Sequence, residues 1–179
     1  DVAVAEALAE VGQAERALLL SPQSPIVLLR KRVPSAVAEA VAPGNPYLGM
    51  MLPYTPLHHL LLRAAGGEPL VMTSGNRSDE PITYRNDEAV ERIAGIADLF
   101  LLHNRPIHVR CDDSVTRVVD GAELPLRRSR GYAPRPIELP FPCPRSVLAV
   151  GGQLKGTFAL GAPSAYPLPR RGGEGRVSG

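Results

Sequence analysis

Four short clusters in this chain carry the residue types that handle phosphate and carboxylate oxygens. They are Ser74-Gly75-Asn76, His103-Asn104-Arg105-Pro106, Arg110 with Asp112-Asp113-Ser114, and Arg127-Arg128-Ser129-Arg130-Gly131-Tyr132. A hydroxyl and a carboxamide on a tight turn donate hydrogen bonds to anionic oxygens, and guanidinium groups bind such oxygens in pairs. Gly75 puts no side chain between Ser74 and Asn76. Asp112 and Asp113 can orient the arginines or hold Mg²⁺ through water. Singly, each cluster is a weak signal: a Ser-Gly-Asn turn commonly just joins a strand to the next segment, and a basic run is commonly a solvated face. Together they share one chemistry, and each stands at the end of a predicted strand, where open α/β sheets place ligands. No Ser-His-Asp order, Cys-His pair or zinc spacing competes, nor does a Walker or Rossmann glycine pattern.

Charge agrees with an anion-facing surface. From His103 to Arg135 there are seven arginines against four acids, although the net charge of the 179 residues is only +2. At 44% hydrophobic and 21% charged residues, the composition is that of an ordinary globular chain. Cys111 and Cys143 belong to no metal spacing and read as reduced thiols, with Cys111 in the core. No apolar run approaches the roughly 18 residues of a membrane span. The opening DVAVAEALAE has neither an initiating Met nor a basic leader, so the chain reads as a fragment of a cytoplasmic protein.

Hydrophobic spacing predicts the elements that would position the clusters. Val4, Leu8, Val11 and Leu18 predict one amphipathic helix over 2–19, stopped by SPQSP. Ile26 to Leu29 read as a buried strand whose end, Arg30-Lys31-Arg32, runs into solvent or faces an anion. Ser35 to Val41 read as a short helix, and Tyr47 to Leu52 as a strand or buried loop. Thr55 is a predicted N-cap with Pro56 at the first helical position, and Gly66-Gly67 close that helix. His58 and His59 are adjacent, hence on different helix faces, and form no i, i+4 metal pair.

Leu70 to Thr73 and Asp98 to Leu102 are further predicted strands, and Asn86 a predicted cap for the helix DEAVERIAGIA. TRVVD and ELPLRRSRG make a hairpin about Asp120-Gly121. Interspersed helices and strands with a late hairpin predict an α/β fold with a mixed twisted sheet and flanking helices. PRPIELPFPCP, with five prolines in eleven residues, is an extended linker. Beyond it SVLAVGGQLKGTFAL reads as two short strands about a Gly-Gly turn, and the stretch from Gly161 on as a non-periodic tail.

LPYTPLHHLLL, LVMTSGNRSDEPI, ADLFLLHNRPIHVRCDDSV, LRRSRGYAPRPIELP and VLAVGGQLKGTFAL resemble, in this order, the hydrogenase-maturation carbamoyltransferases of the HypF family. The resemblance covers about residues 1 to 160. It implies a YrdC-like domain over 1–136 that is incomplete at its N-terminus, a Pro-rich linker over 137–146, and over 147–160 the first strands of a carbamoyl-transferring domain with an actin/Hsp70-like fold. Residues 161–179 fall outside the family pattern.

In that family carbamoyl phosphate is hydrolysed, the YrdC-like domain joins the carbamate to ATP, and the carbamoyl group passes to the C-terminal cysteine of HypE. The implied cofactor is ATP with Mg²⁺; zinc belongs to family modules outside this chain. Matched onto this sequence, Ser74 and Asn76 fall where the family's Ser-x-Asn motif contacts nucleotide phosphates and the acyl group. Ser114 and Arg110 line the same cavity, and Arg128 or Arg130 reaches the phosphates from the last hairpin. The resemblance thus implies that all of them face one cleft, with Arg110 and Arg130 as catalytic residues.

The family's Lys/Arg-rich motif lies outside this stretch, and Gly156 stands where the pattern has Asn, so the chain alone is expected to make no carbamoyl-adenylate. Two rival readings use the same residues. One is a threonylcarbamoyl-adenylate synthase, the other a double-stranded RNA-binding module; against the second, no aromatic residues interleave the arginines.

Overall fold

The computed structural model describes residues 1–151 and 157–163. The chain divides into two compact units, Asp1–Gly75 with His103–Pro134, and Asn76–Leu102 with Arg135–Gly179.

The first unit is a five-stranded mixed sheet with short helices. Its helix α1 (Val2–Leu8) is capped by Asp1, whose carboxylate accepts from the amide of Val4 at 3.0 Å. The single helix expected over 2–19 is in fact two. Between α1 and α2 (Gln13–Leu19) lies β1 (Ala9–Glu10), which pairs antiparallel with Lys31 and Arg30 of β2 (Ile26–Lys31). Arg30 and Lys31 of β2 take Ala9 and Glu10 into their backbone pairing. Tertiary pairing here overrides helix propensity.

β2 also pairs antiparallel with β3 (Tyr47–Met50) and parallel with β4 (Val115–Val119). A mixed sheet is therefore what forms. In place of the helix expected over 35–41, only Glu39–Val41 closes a single 3₁₀ turn. The core is small: Ala5, Ala9, Leu19, Val27 and Leu29, with Val11, Leu18, Met50 and Leu52 packed against it. Each fully buried Leu or Val in it contributes about 1.5–3 kcal/mol.

Helix α3 (Pro56–Ala64) starts as the sequence predicts, with the Thr55 hydroxyl accepting from the amide of His58 at 3.2 Å. It closes on Gly66 and Gly67, both at positive φ. β4 turns into β5 (Ala122–Arg127) through Asp120 and Gly121, at φ of 51° and 76°, the left-handed pair that a two-residue hairpin requires.

In the second unit, α4 (Asn86–Ile93) begins one residue earlier than expected: Arg85 holds the cap position and Asn86 is its first residue. Arg92 ties this helix to Glu88, one turn back, and to Glu80. β6 (Val147–Val150) and β7 (Phe158–Gly161) form the two-stranded antiparallel pair read from the sequence. The turn residue Gly152, the family-variant Gly156 and the tail from residue 164 lie outside the described residues.

Two expected strands do not form. Leu70 to Thr73 and Asp98 to Leu102 have no strand partner, and Val71 and Leu99 stay 78% and 89% exposed. An apolar run becomes a buried strand only where a sheet edge is there to take it. Among the described residues no helix is long and apolar enough to cross a membrane.

Candidate functional site

The junction of three segments of the first unit holds most of the polar residues singled out by the sequence. Ser114 directly precedes β4, and the segment from Arg128 to Tyr132 follows β5. Antiparallel pairing of the two strands brings these ends side by side. Ser114 is 1% exposed. Its hydroxyl donates to the carbonyl of Arg130 and accepts from the amide of Ser129, each at 2.8 Å. The amide of Arg130 in turn donates to the carbonyl of Asp112 at 3.2 Å.

Arg130 lies with its guanidinium over the Tyr54 ring, 3.8 Å from the centroid. Its Nε donates to the Asp113 carboxylate at 2.7 Å, and its two terminal nitrogens donate to the carbonyls of Gln23 and Ser24 at 3.3 and 2.7 Å. The expected phosphate-reaching arginine thus has every guanidinium nitrogen engaged within the chain. Tyr54 completes the group, its hydroxyl 3.5 Å from Asp113 and its ring edge-on to His58. Burial pushes the Tyr54 hydroxyl up from its ordinary range, and Asp113 adds to it. For His58 burial pulls the imidazole down, against Asp113 and with Arg130, and its Nδ1 is buried without a hydrogen-bond partner.

The remaining residues divide. Arg128 donates to the carbonyl of Tyr132 at 2.9 Å. Strand alternation does not put Arg128 and Arg130 on a common face, because β5 ends at Arg127. Arg110 is exposed and has no partner among the described residues. Cys111, expected in the core, is exposed, with its thiol 3.6 Å from the Ser129 hydroxyl. The aspartates serve arginines: Asp113 holds Arg130, and Asp112 lies 3.8 Å from Arg127. Among the described residues no group of three or more His, Cys, Asp or Glu side chains is placed to hold a metal ion.

Ser74 is exposed in the loop after α3, and the strand expected to present it is absent. Asn76 opens the second unit. Its amide donates to the carbonyl of Arg77 at 2.8 Å, and its Oδ1 is buried without a partner. His103 and Asn104 are exposed.

Sequence reasoning missed Gln23, Ser24, Tyr54 and Glu123. The first two act through backbone carbonyls, which leave no mark in a sequence. Glu123 accepts from both the Tyr132 hydroxyl and Thr116. A separate cavity of about 520 Å³ in the first unit is lined by Arg30, Arg32, Arg117, Tyr47, Glu10 and Glu15, among others, and includes neither Ser114 nor Arg130. Of the basic triplet at the end of β2, Arg30 and Arg32 line it, while Lys31 turns to the carbonyl of Ala42 and to Glu39.

A mixed sheet flanked by helices, with polar residues gathered beside the ends of a parallel-antiparallel strand set, makes the first unit an α/β domain. The chain belongs to the Sua5/YciO/YrdC family, whose model, described as "Telomere recombination", matches residues 1–129. Within it, this chain is similar to the carbamoyltransferases HypF. It is 52% identical over 143 residues to the Synechocystis protein, covering 80% of this chain and 18% of that one. With the Rhizobium leguminosarum protein the identity is 44% over 166 residues, covering 89% and 22%. A crystal structure of full-length HypF in the phosphate- and nucleotide-bound form superposes with a TM-score of 0.79 at 47% identity, covering 91% of this chain and 26% of that one. The T. kodakarensis HypF structure gives 0.81 at 41%, covering 90% and 21%. The chain thus spans about a fifth of the length of its curated relatives.

Proposed function

We propose that this segment supplies part of a carbamoyl-adenylate-forming site in [NiFe]-hydrogenase maturation. Carbamate, released from carbamoyl phosphate, attacks the α-phosphorus of ATP through an oxygen. Pyrophosphate leaves, and the carbamoyl group then passes from the adenylate to the C-terminal cysteine of HypE as AMP is released. A single observation carries the reading: 52% identity to a carbamoyltransferase runs through the segment that builds the Ser114–Arg130 junction. Catalysis of this kind asks the protein for positioning and for neutralisation of phosphate charge rather than for a covalent intermediate.

In this reading Ser74, Ser114, Arg110 and Arg128 face the nucleotide and the acyl group, and Mg²⁺ arrives with ATP. The test is pyrophosphate release from ATP and Mg²⁺ in the presence of carbamoyl phosphate. A full-length protein carrying this segment is expected to turn over, and the 179-residue chain alone is expected not to. Turnover supported by threonine and bicarbonate instead would overturn the assignment in favour of a threonylcarbamoyl-adenylate synthase.

A further inference from the structure

We propose that Arg130 is a positioning residue, the strut that fixes the loop after β5, and that Arg110 is the arginine left to meet a ligand's anion. The role of the strut rests on the functional reading above; its existence does not.

The guanidinium of Arg130 has a fixed planar fork, and each of its nitrogens is occupied: Asp113 on Nε, and the carbonyls of Gln23 and Ser24 on the terminal nitrogens. Tyr54 covers one face. A phosphate at Arg130 would compete with a carboxylate and two carbonyls for a guanidinium that already makes three bonds, one of them charge-assisted on both sides, and that keeps one further N–H on each terminal nitrogen. The backbone is seated as closely as the side chain. Gly131 sits at φ 83° directly against Gln23, where a Cβ would lie 2.4 Å from the Gln23 carbonyl oxygen.

The turn at Gln23 and Ser24 is thus a cradle for residues 130 and 131. The adjoining bonds inherit that placement: Ser129 amide to Ser114 hydroxyl, Ser114 hydroxyl to Arg130 carbonyl, and Arg128 to the carbonyl of Tyr132. Arg110, four residues before Ser114, is exposed and has no partner among the described residues. The two arginines expected to share one task therefore divide it.

The experiment compares Arg130→Gln, Arg130→Lys, Asp113→Asn, the double variant Arg130→Gln/Asp113→Asn, and Arg110→Gln in a full-length protein carrying this segment. Amide hydrogen exchange at Ser129, Arg130 and Tyr132 reads the strut directly. Calorimetric titration with MgATP reads the ligand.

A strut predicts that Arg130→Gln and Asp113→Asn each speed exchange at these amides on the order of tenfold, the double variant no more than either alone. Lysine fails to rescue, since one ammonium group cannot span a carboxylate and two carbonyls in a fork. Asp113→Asn weakens MgATP binding although it removes a negative charge, and Arg110→Gln weakens it without altering exchange. The proposal is overturned if Arg130→Lys retains wild-type exchange and affinity while Asp113→Asn tightens binding, the pattern of a phosphate ligand. Full-length wild type that binds no MgATP sinks the functional reading alone, because exchange still decides whether the strut is there.

Discussion

Ser129 donates its amide to the hydroxyl of Ser114 at 2.8 Å, joining the residue before β4 to the loop after β5. The same hydroxyl donates onward to the carbonyl of Arg130. Ser114→Ala leaves the part-buried Ser129 N–H and Arg130 C=O without this partner. Loss of about 1–3 kcal/mol is expected, read as a lower denaturant midpoint at unchanged slope. An unchanged midpoint would show that water replaces the hydroxyl.

Gly131 and Gly66 both sit at positive φ, but only Gly131 has backbone within reach of an added Cβ; at Gly66 the space is open. Alanine at either position carries the strain of the left-handed region, about 1–3 kcal/mol. Gly131→Ala is expected to cost clearly more than Gly66→Ala in thermal unfolding, the excess measuring contact with Gln23. Equal losses would mean that the loop is not seated on that turn.

Tyr132 reports on the far side of the same hairpin. Burial first, then its hydrogen bond to Glu123, pushes the phenol above its ordinary value of 10.0. The folded state therefore holds this proton more tightly than the unfolded one. The contribution is complete below pH 10 and is lost as pH rises from there toward the folded value. Comparing wild type with Tyr132→Phe from about pH 8 to about pH 11, the stability difference should shrink above pH 10. A constant gap across that range would contradict the burial assigned to the hydroxyl.

His58 has the opposite sign. Burial is the leading cause that lowers it from its ordinary 6.5, so the folded state prefers the neutral imidazole. Between the folded value and 6.5 the unfolded chain binds the extra proton, and stability falls as pH drops below 6.5. His58→Gln is expected to lack this fall. Chemical denaturation of both proteins across that window checks it, parallel curves being the contrary result.

How much was legible in the sequence differs from element to element. Thr55-Pro56 and Asp120-Gly121 were readable because both signals are local: a cap hydroxyl lies three residues from the amide it satisfies, and a two-residue hairpin needs only residues that accept positive φ. Ser114 was legible as a member of a polar cluster, its place in a cavity was implied by resemblance, and the structure adds why its hydroxyl matters. Leu70–Thr73 and Asp98–Leu102 misled because an apolar run records a tendency to be buried, not the presence of a neighbour to be buried against. The helix over 2–19 misled for a related reason, since spacing cannot register that β2 takes Ala9 and Glu10 into its edge.

The residues alone determined which chemistry this protein can offer: hydroxyls, a carboxamide and arginines in four clusters, with a family pattern running through them. Only the fold decided how Arg130 and Arg110 differ. Asp113 and the carbonyls of Gln23 and Ser24 meet one guanidinium and not the other, and two of those three partners lie more than 100 residues away in the chain. A backbone carbonyl belongs to every residue alike, so its position becomes information only once the chain has folded.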